Sequence, residues 1–180
     1  MDIGTISSRY AKALFSTAKE KGQEDRVYDD MKMLVDSFSL EPELRVALSN
    51  PIIPAKEKLQ LLISAGGIDV CDLYTRFINL VLGHKRESYL PFISYTYIHL
   101  YREDKKIIRV QFSTAVPVDE KVREHLEKKL KEETGSSIEF TGFVKPELIG
   151  GFRLRIGNYR IDASYKAQLQ HIRSRLLENR

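Results

Sequence analysis

One change of rhythm limits what this chain can fold into. Up to about Lys105 the apolar residues recur every three or four positions. Beyond it, in KIIRVQFSTAV, Ile108, Val110 and Phe112 alternate with polar neighbours. A repeat near 3.6 builds one face of a helix and a repeat of 2 builds one face of a strand. The switch therefore predicts a boundary at Lys105-Lys106, with a helical domain over 1–104 and a mixed one over 105–180. A chain of 180 residues has room for one large domain or two small ones.

The first part breaks into six helical stretches joined by short connections. TISSRYAKALFSTAKEKG places Ile6, Tyr10, Ala13, Leu14 and Thr17 on one stripe and ends at Gly22. Ala11, Phe15 and Ala18 form a second stripe beside it. EDRVYDDMKMLVDSFSL repeats the pattern through Val27, Met31, Leu34, Val35 and Phe38. EPELRVALSN is a short helix whose Pro42 falls in the first turn, where its missing N–H is harmless. NPIIP is a stiff link, and AKEKLQLLISAGG stops at Gly66-Gly67. DVCDLYTRFINLVLG, a basic loop HKRE and SYLPFISYTYIHLYRE complete the set. Short loops between helices imply antiparallel neighbours, so a six-helix antiparallel bundle is expected.

The second part alternates element types. Pro117 and Asp119 open a helix with Val122, Leu126 and Leu130 on one face; SIEFTGFV is a strand; GFRLRIGNYRIDA is a hairpin. A closing helix carries Tyr165, Leu169, Ile172 and Leu176 in one stripe. The expected class is α+β: the bundle, then a small α/β domain with a β-hairpin and a closing helix.

Gly157-Asn158 suits a two-residue turn with glycine first, the type II′ requirement. That sets Ile156 opposite Tyr159 and Leu154 opposite Ile161, with Phe152 on the same side. The other face then opposes Arg155 to Arg160 and Arg153 to Asp162. Directly opposed arginines repel unless solvent screens them or an anion lies between. Two readings follow: a solvated outer face, or one crossed by an anionic protein partner. Gly150-Gly151 lacks the spacing of a dinucleotide fingerprint and precedes a strand, so a tight bend or bulge is expected there.

Net charge is +4, unevenly spread: residues 145–180 hold eight Lys or Arg against three Asp or Glu, the rest 21 against 22. A basic end favours an acidic partner, whether protein, nucleic acid or lipid headgroup. Chemistry is harder to find. His84, His99, His125 and His171 are scattered without metal-ligand companions. Cys71 stands alone, so no internal disulfide forms, which favours a reducing compartment and a buried thiol. His99 is expected to pack on its aromatic helix and His171 to lie on a wet face. No nucleophile elbow, phosphate loop or paired carboxylate motif occurs. No catalytic residue, cofactor site or metal site is therefore expected. No apolar run nears the ~20 residues that span a bilayer, and MDIGTISSRYAKALF is not a secretory signal. The aromatics of RESYLPFISYTYIHLY could stack on bases, but Leu90, Ile93, Tyr97, Leu100 and Tyr101 fall at core spacing. A basic nucleic-acid-binding adaptor is the alternative reading of the arginine-rich end.

Two helices carry more apolar surface than one stripe requires. The first has two stripes; the fifth, from Val70 to Leu82, is apolar nearly all round. Surplus stripes mean central burial or a groove for a partner helix.

Several stretches together resemble one family. SSRYAKALFSTA, NPIIPAKEK, FINLVLGHKRESYLPFI with Arg86, and PELIGGFRLRIGNYRIDASYKAQLQHIRSRL are similar to the delta subunit of bacterial F-type ATP synthases. The mitochondrial counterpart is the oligomycin-sensitivity-conferring protein. The last stretch is the most specific, with Gly150, Gly151, Gly157, Asp162, Ser164 and Leu169; Ala163 stands where a glycine or another small residue is expected. The resemblance covers essentially the whole chain. It implies a non-catalytic stator component that binds no nucleotide, peripheral on the cytoplasmic face of the bacterial plasma membrane. It also implies that the helical domain holds an alpha-subunit N-terminal helix between its first and fifth helices. The expected contacts are Ala11, Leu14, Phe15 and Ala18 with Phe77, Ile78 and Val81. The C-terminal domain would hold the b-subunit peripheral stalk, through Arg153, Arg155, Arg160, Leu176 and Leu177.

Overall fold

The computed structural model describes residues 3–157 and 159–178. The chain divides into two units, Met1–Asp104 and Lys105–Arg180. In the first unit α1 (Ile3–Glu20), α2 (Glu24–Leu40), α3 (Pro42–Ser49), α4 (Ala55–Gly66), α5 (Asp72–Gly83) and α6 (Leu90–Asp104) follow one another. α6 is the centre: α1 and α2 both pack along it, α4 lies against α2, and α5 against α4. Val27, Met31, Leu34, Leu62, Leu90, Ile93 and Tyr97 are completely buried. These are positions of the 3.6-residue stripes, so burial of one face per helix drives the assembly.

The NPIIP link is held by polar bonds. Asn50 Oδ1 accepts from the Ile52 N–H at 2.9 Å. Lys58 is buried and donates to Leu48 O at 2.6 Å and to Glu87 Oε1 at 2.7 Å. Burial pushes the Glu87 carboxyl up, but the Lys58 bond and charge outweigh it and hold it below the usual range. One ammonium thus fastens the end of α3, the start of α4 and a 3-10 turn at Glu87–Tyr89.

That turn is a departure from the expected helix starting at Ser88. Pro91 has no N–H to give to a carbonyl one turn back, so an α-helix begun at Ser88 would lose its first bond. Starting at Leu90 puts Pro91 in the first turn instead. His99 is also not packed. It is exposed, with Nδ1 3.4 Å from Glu103 Oε2.

Since the stripes of residues 1–104 close on one another, a fragment of that length should fold alone. Far-UV circular dichroism of the fragment checks this; a coil spectrum would refute it.

The second unit runs β1 (Ile107–Thr114), α7 (Glu120–Thr134), β2 (Ser137–Val144), β3 (Gly151–Ile156), β4 (Tyr159–Ser164) and α8 (Tyr165–Glu178), with a 3-10 turn at Pro146–Leu148. The sheet order is β2-β1-β3-β4. β1 pairs with β2 in parallel, which requires the α7 crossover, and with β3 antiparallel. The hairpin register opposes Ile156 to Tyr159, Leu154 to Ile161, Arg155 to Arg160 and Arg153 to Asp162. Asn158 of its turn lies outside the described residues.

α7 covers one sheet face, where Leu126 and Leu130 meet Val110, Phe112, Phe140 and Leu154. Val122, expected on that face, is half exposed. On the edge strand β4, Tyr159 and Ile161 stay exposed on the α7 side of the sheet. The stripe of α8 is bare too: Tyr165, Leu169, Ile172, Leu176 and Leu177 are all more than half exposed.

Candidate functional site

α1 lies chiefly against α6, and α5 against α4, so α1 and α5 stand apart. The gap between them is an apolar groove of about 460 Å³. Tyr10, Ala13, Leu14 and Thr17 of α1 face Leu73, Phe77 and Leu80 of α5 across it. From Arg9 to Thr17 it runs about 12 Å, a little over two helical turns. Ala13 and Leu80 are exposed, while Tyr10, Leu14 and Phe77 are mostly covered. Arg9, Arg76 and Arg86 rim the groove.

One end is closed by side chains. The Tyr10 and Phe77 rings meet edge to face, centroids 6.3 Å apart. Arg86 donates to the Tyr10 hydroxyl at 3.0 Å, and that hydroxyl lies 2.9 Å from His84 Nδ1. Arg86 thus fastens the α5–α6 connection to α1, which explains an arginine at this place in the sequence.

Only Leu14 and Phe77 of the expected partner-facing residues line this groove. Ala11, Ala18, Ile78 and Val81 are wholly buried inside the bundle, which corrects their assignment to a partner surface. Phe15 is part-buried and does not line the groove; its ring packs edge-on against Tyr97 of α6, centroids 5.7 Å apart. The two stripes of α1 have exchanged roles. Small residues at Ala11 and Ala18 do permit close approach of a helix, but that helix is the chain's own α6. The groove uses the first stripe, already visible as Tyr10, Ala13, Leu14 and Thr17, plus Leu73 and Leu80, which the sequence showed only as part of an all-round apolar helix.

The signature stretch builds a different device. Asp162 Oδ1 accepts from Ser164 Oγ at 2.6 Å, and Oδ2 accepts from Arg153 Nε at 2.8 Å and an Arg160 terminal nitrogen at 3.2 Å. Ser164 Oγ in turn accepts from the Ala167 N–H at 3.2 Å, an N-cap for α8. Tyr165 N–H donates to Gly150 O at 3.0 Å. Asp162 and Ser164 therefore join the hairpin to its closing helix. Gly157 sits at φ 55, as a primed turn needs.

The Ser164 bond is the main reason the Asp162 carboxyl is held well below its ordinary value, assisted by Arg153 and Arg160 against the opposing effect of burial. A carboxyl depressed on folding stabilises the native state above its unfolded value and loses that contribution as pH falls through the carboxylate range, below about pH 4. Parent and Asp162→Asn proteins should therefore differ in thermal stability at neutral pH. The gap should narrow below about pH 4; melting curves across pH check it, and a constant gap would count against the carboxylate.

Cys71 is buried as the N-cap of α5, and burial pushes its thiol up to about 11 despite the Tyr74 N–H. Among the described residues no group of His, Cys, Asp or Glu could hold a metal ion.

A family model described as ATP synthase delta (OSCP) subunit matches residues 6–176. The chain belongs to this family. ATP synthase subunit delta of Parabacteroides distasonis is 73% identical over 180 residues, covering 100% of both chains. The subunit delta of Phocaeicola vulgatus is 44% identical, covering 98% of this chain and 96% of its own. A chain in the cryo-EM structure of the Toxoplasma gondii mitochondrial ATP synthase hexamer is similar in fold, with a TM-score of 0.67 at 21% identity. It covers 95% of this chain and 97% of its own length. As a delta (OSCP) family member the chain is a non-catalytic stator subunit of F-type ATP synthase. No helix among the described residues is long and apolar enough to cross a membrane.

Proposed function

We propose that this stator subunit bridges the catalytic head and the peripheral stalk, with one contact in each unit. The α1–α5 groove takes the N-terminal helix of an alpha subunit. The observation that carries this is the apolar cleft itself: about two turns long, bordered by helices that do not close on each other, and rimmed by cations. An amphipathic helix lays its apolar face into such a groove and leaves its polar flanks to the rim.

The C-terminal unit takes the end of the b-subunit stalk. Leu176 and Leu177 lie exposed on α8, alongside Leu169 and Ile172, and β4 adds Tyr159 and Ile161. Such apolar area anchors, whereas exposed arginines such as Arg155 and Arg160 orient the approach, because single exposed ion pairs contribute only ~0–1 kcal/mol. Arg153 is already engaged by Asp162 and acts within the fold. Bridging head to stalk prevents the head from turning with the central rotor, so that torque drives ATP synthesis. The chain then works peripherally at the cytoplasmic face of the bacterial plasma membrane.

Binding of b-subunit across a salt series tests the stalk contact. Leu177→Asp should speed dissociation with the fold intact, since the side chain is 62% exposed. Arg155→Ala with Arg160→Ala should slow association and flatten its salt dependence. Unchanged dissociation for Leu177→Asp would remove α8 from the interface.

A further inference from the structure

The strands of the C-terminal sheet put a second set of side chains on the face opposite α7. There Arg155 and Arg160 stand directly opposed across the hairpin, and Arg155 also pairs with Gln111 of β1. Arg153 pairs with Ser113 in the next row. Together with Lys145 and Phe143 they line a concave cleft of about 340 Å³. A neighbouring carboxylate, Asp162, is shared between Arg153 and Arg160. Arg155 reaches only the Gly157 carbonyl, at 3.4 Å, and among the described residues no carboxylate pairs with Arg155 or Lys145.

We propose that this cleft holds an extended acidic peptide segment of a neighbouring subunit, with carboxylates at alternate positions. Arg153, Arg155 and Arg160 stand together on the hairpin, and Lys145 lies beyond β1 from them, with the neutral Gln111 and Ser113 of β1 between. Alternate residues of a strand are about 7 Å apart, and an extended peptide has the same repeat. One same-face carboxylate then lies between Arg155 and Arg160, relieving their mutual repulsion, and another further along the peptide lies over Lys145. An amphipathic helix is disfavoured because Gln111 and Ser113 offer it no apolar floor. A single nucleic-acid strand is disfavoured because base stacking uses successive aromatic platforms, and Phe143 stands alone in this cleft.

The inference rests on the stator reading for the source of the segment, while the cleft belongs to this chain alone. The test is a titration of the full chain, followed by amide NMR at low salt. The probe is the blocked peptide Glu-Ser-Glu-Ser-Glu; the controls are Glu-Glu-Glu-Ser-Ser and oligothymidylate. Saturable shifts at Gln111, Ser113 and Arg155, weaker binding of the control peptide, and a loss of about fivefold in affinity for Arg155→Gln with Arg160→Gln are expected. Lys145→Gln, away from the hairpin, gives the same reading should the double variant fail to fold. Absence of saturation, equal binding of both peptides, or tighter binding of oligothymidylate would overturn it. Separate measurement of b-subunit binding divides the outcomes. Stalk binding without peptide binding ends this inference alone, and peptide binding without stalk binding ends the stalk contact.

Discussion

Leu80→Asp should weaken binding of a synthetic alpha-subunit N-terminal peptide by about 30-fold or more, roughly 2 kcal/mol. Leu80 projects into the groove from α5 and is half exposed in the free protein. Its removal leaves the bundle intact, whereas a carboxylate there must be desolvated against the apolar face of the incoming helix. Phe15→Ala is the contrasting variant. Its ring is spent on Tyr97, so truncation should lower stability by ~2 kcal/mol and leave peptide affinity within about twofold. Calorimetric titration and thermal melts of both variants check the pair. Unchanged affinity for Leu80→Asp would empty the groove of its proposed ligand. A selective affinity loss for Phe15→Ala would place the partner on the stripe that faces α6.

Gly151→Ala should nearly unfold the C-terminal unit. Gly151 has φ 70, and a Cβ there would lie 2.2 Å from the Ala163 carbonyl oxygen. That neighbour is backbone of the adjacent strand and cannot swing aside. Left-handed strain and the clash together cost about 3 kcal/mol or more. For a unit of this size that lowers the melting temperature by about 15 °C. The close approach continues upstream, where a Cβ on Gly150 would meet the Tyr165 ring at 2.4 Å. Gly142→Ala is the control, since a Cβ there meets nothing within 4 Å. Amide exchange or calorimetry of the full chain should show the loss confined to residues 105–180. A Gly151→Ala protein melting like its parent would mean that β3 and β4 part at no cost, contrary to their pairing at Gly151 and Ser164.

The local elements of this protein were legible because they depend on short-range periodicity. Apolar spacing of three and four made α1 to α6 helices whatever they packed against. The alternation after Lys105 made strands, and the Gly157-Asn158 pair with its flanking alternation set the hairpin register. The two glycines were legible as a tight bend or bulge, but not the close approach that requires them. Ala163 O and Tyr165 come near only once β4 and α8 fold back.

Relations between elements were decided by tertiary structure alone. Parallel pairing of β1 with β2, and insertion of β1 beside β3, join segments far apart in the chain. Burial of Lys58 became tolerable only when Leu48 O and Glu87 converged on it. The same holds for the groove. α1 carries two stripes of comparable apolar character, and no local property tells which meets the chain's own α6 and which stays open. Hydrophobic burial is non-directional, so either stripe satisfies it equally well in isolation. The choice falls to packing: the Ala11 and Ala18 side lets α6 come close, Phe15 meets Tyr97, and the Tyr10, Ala13 and Thr17 side is left facing α5 across the groove.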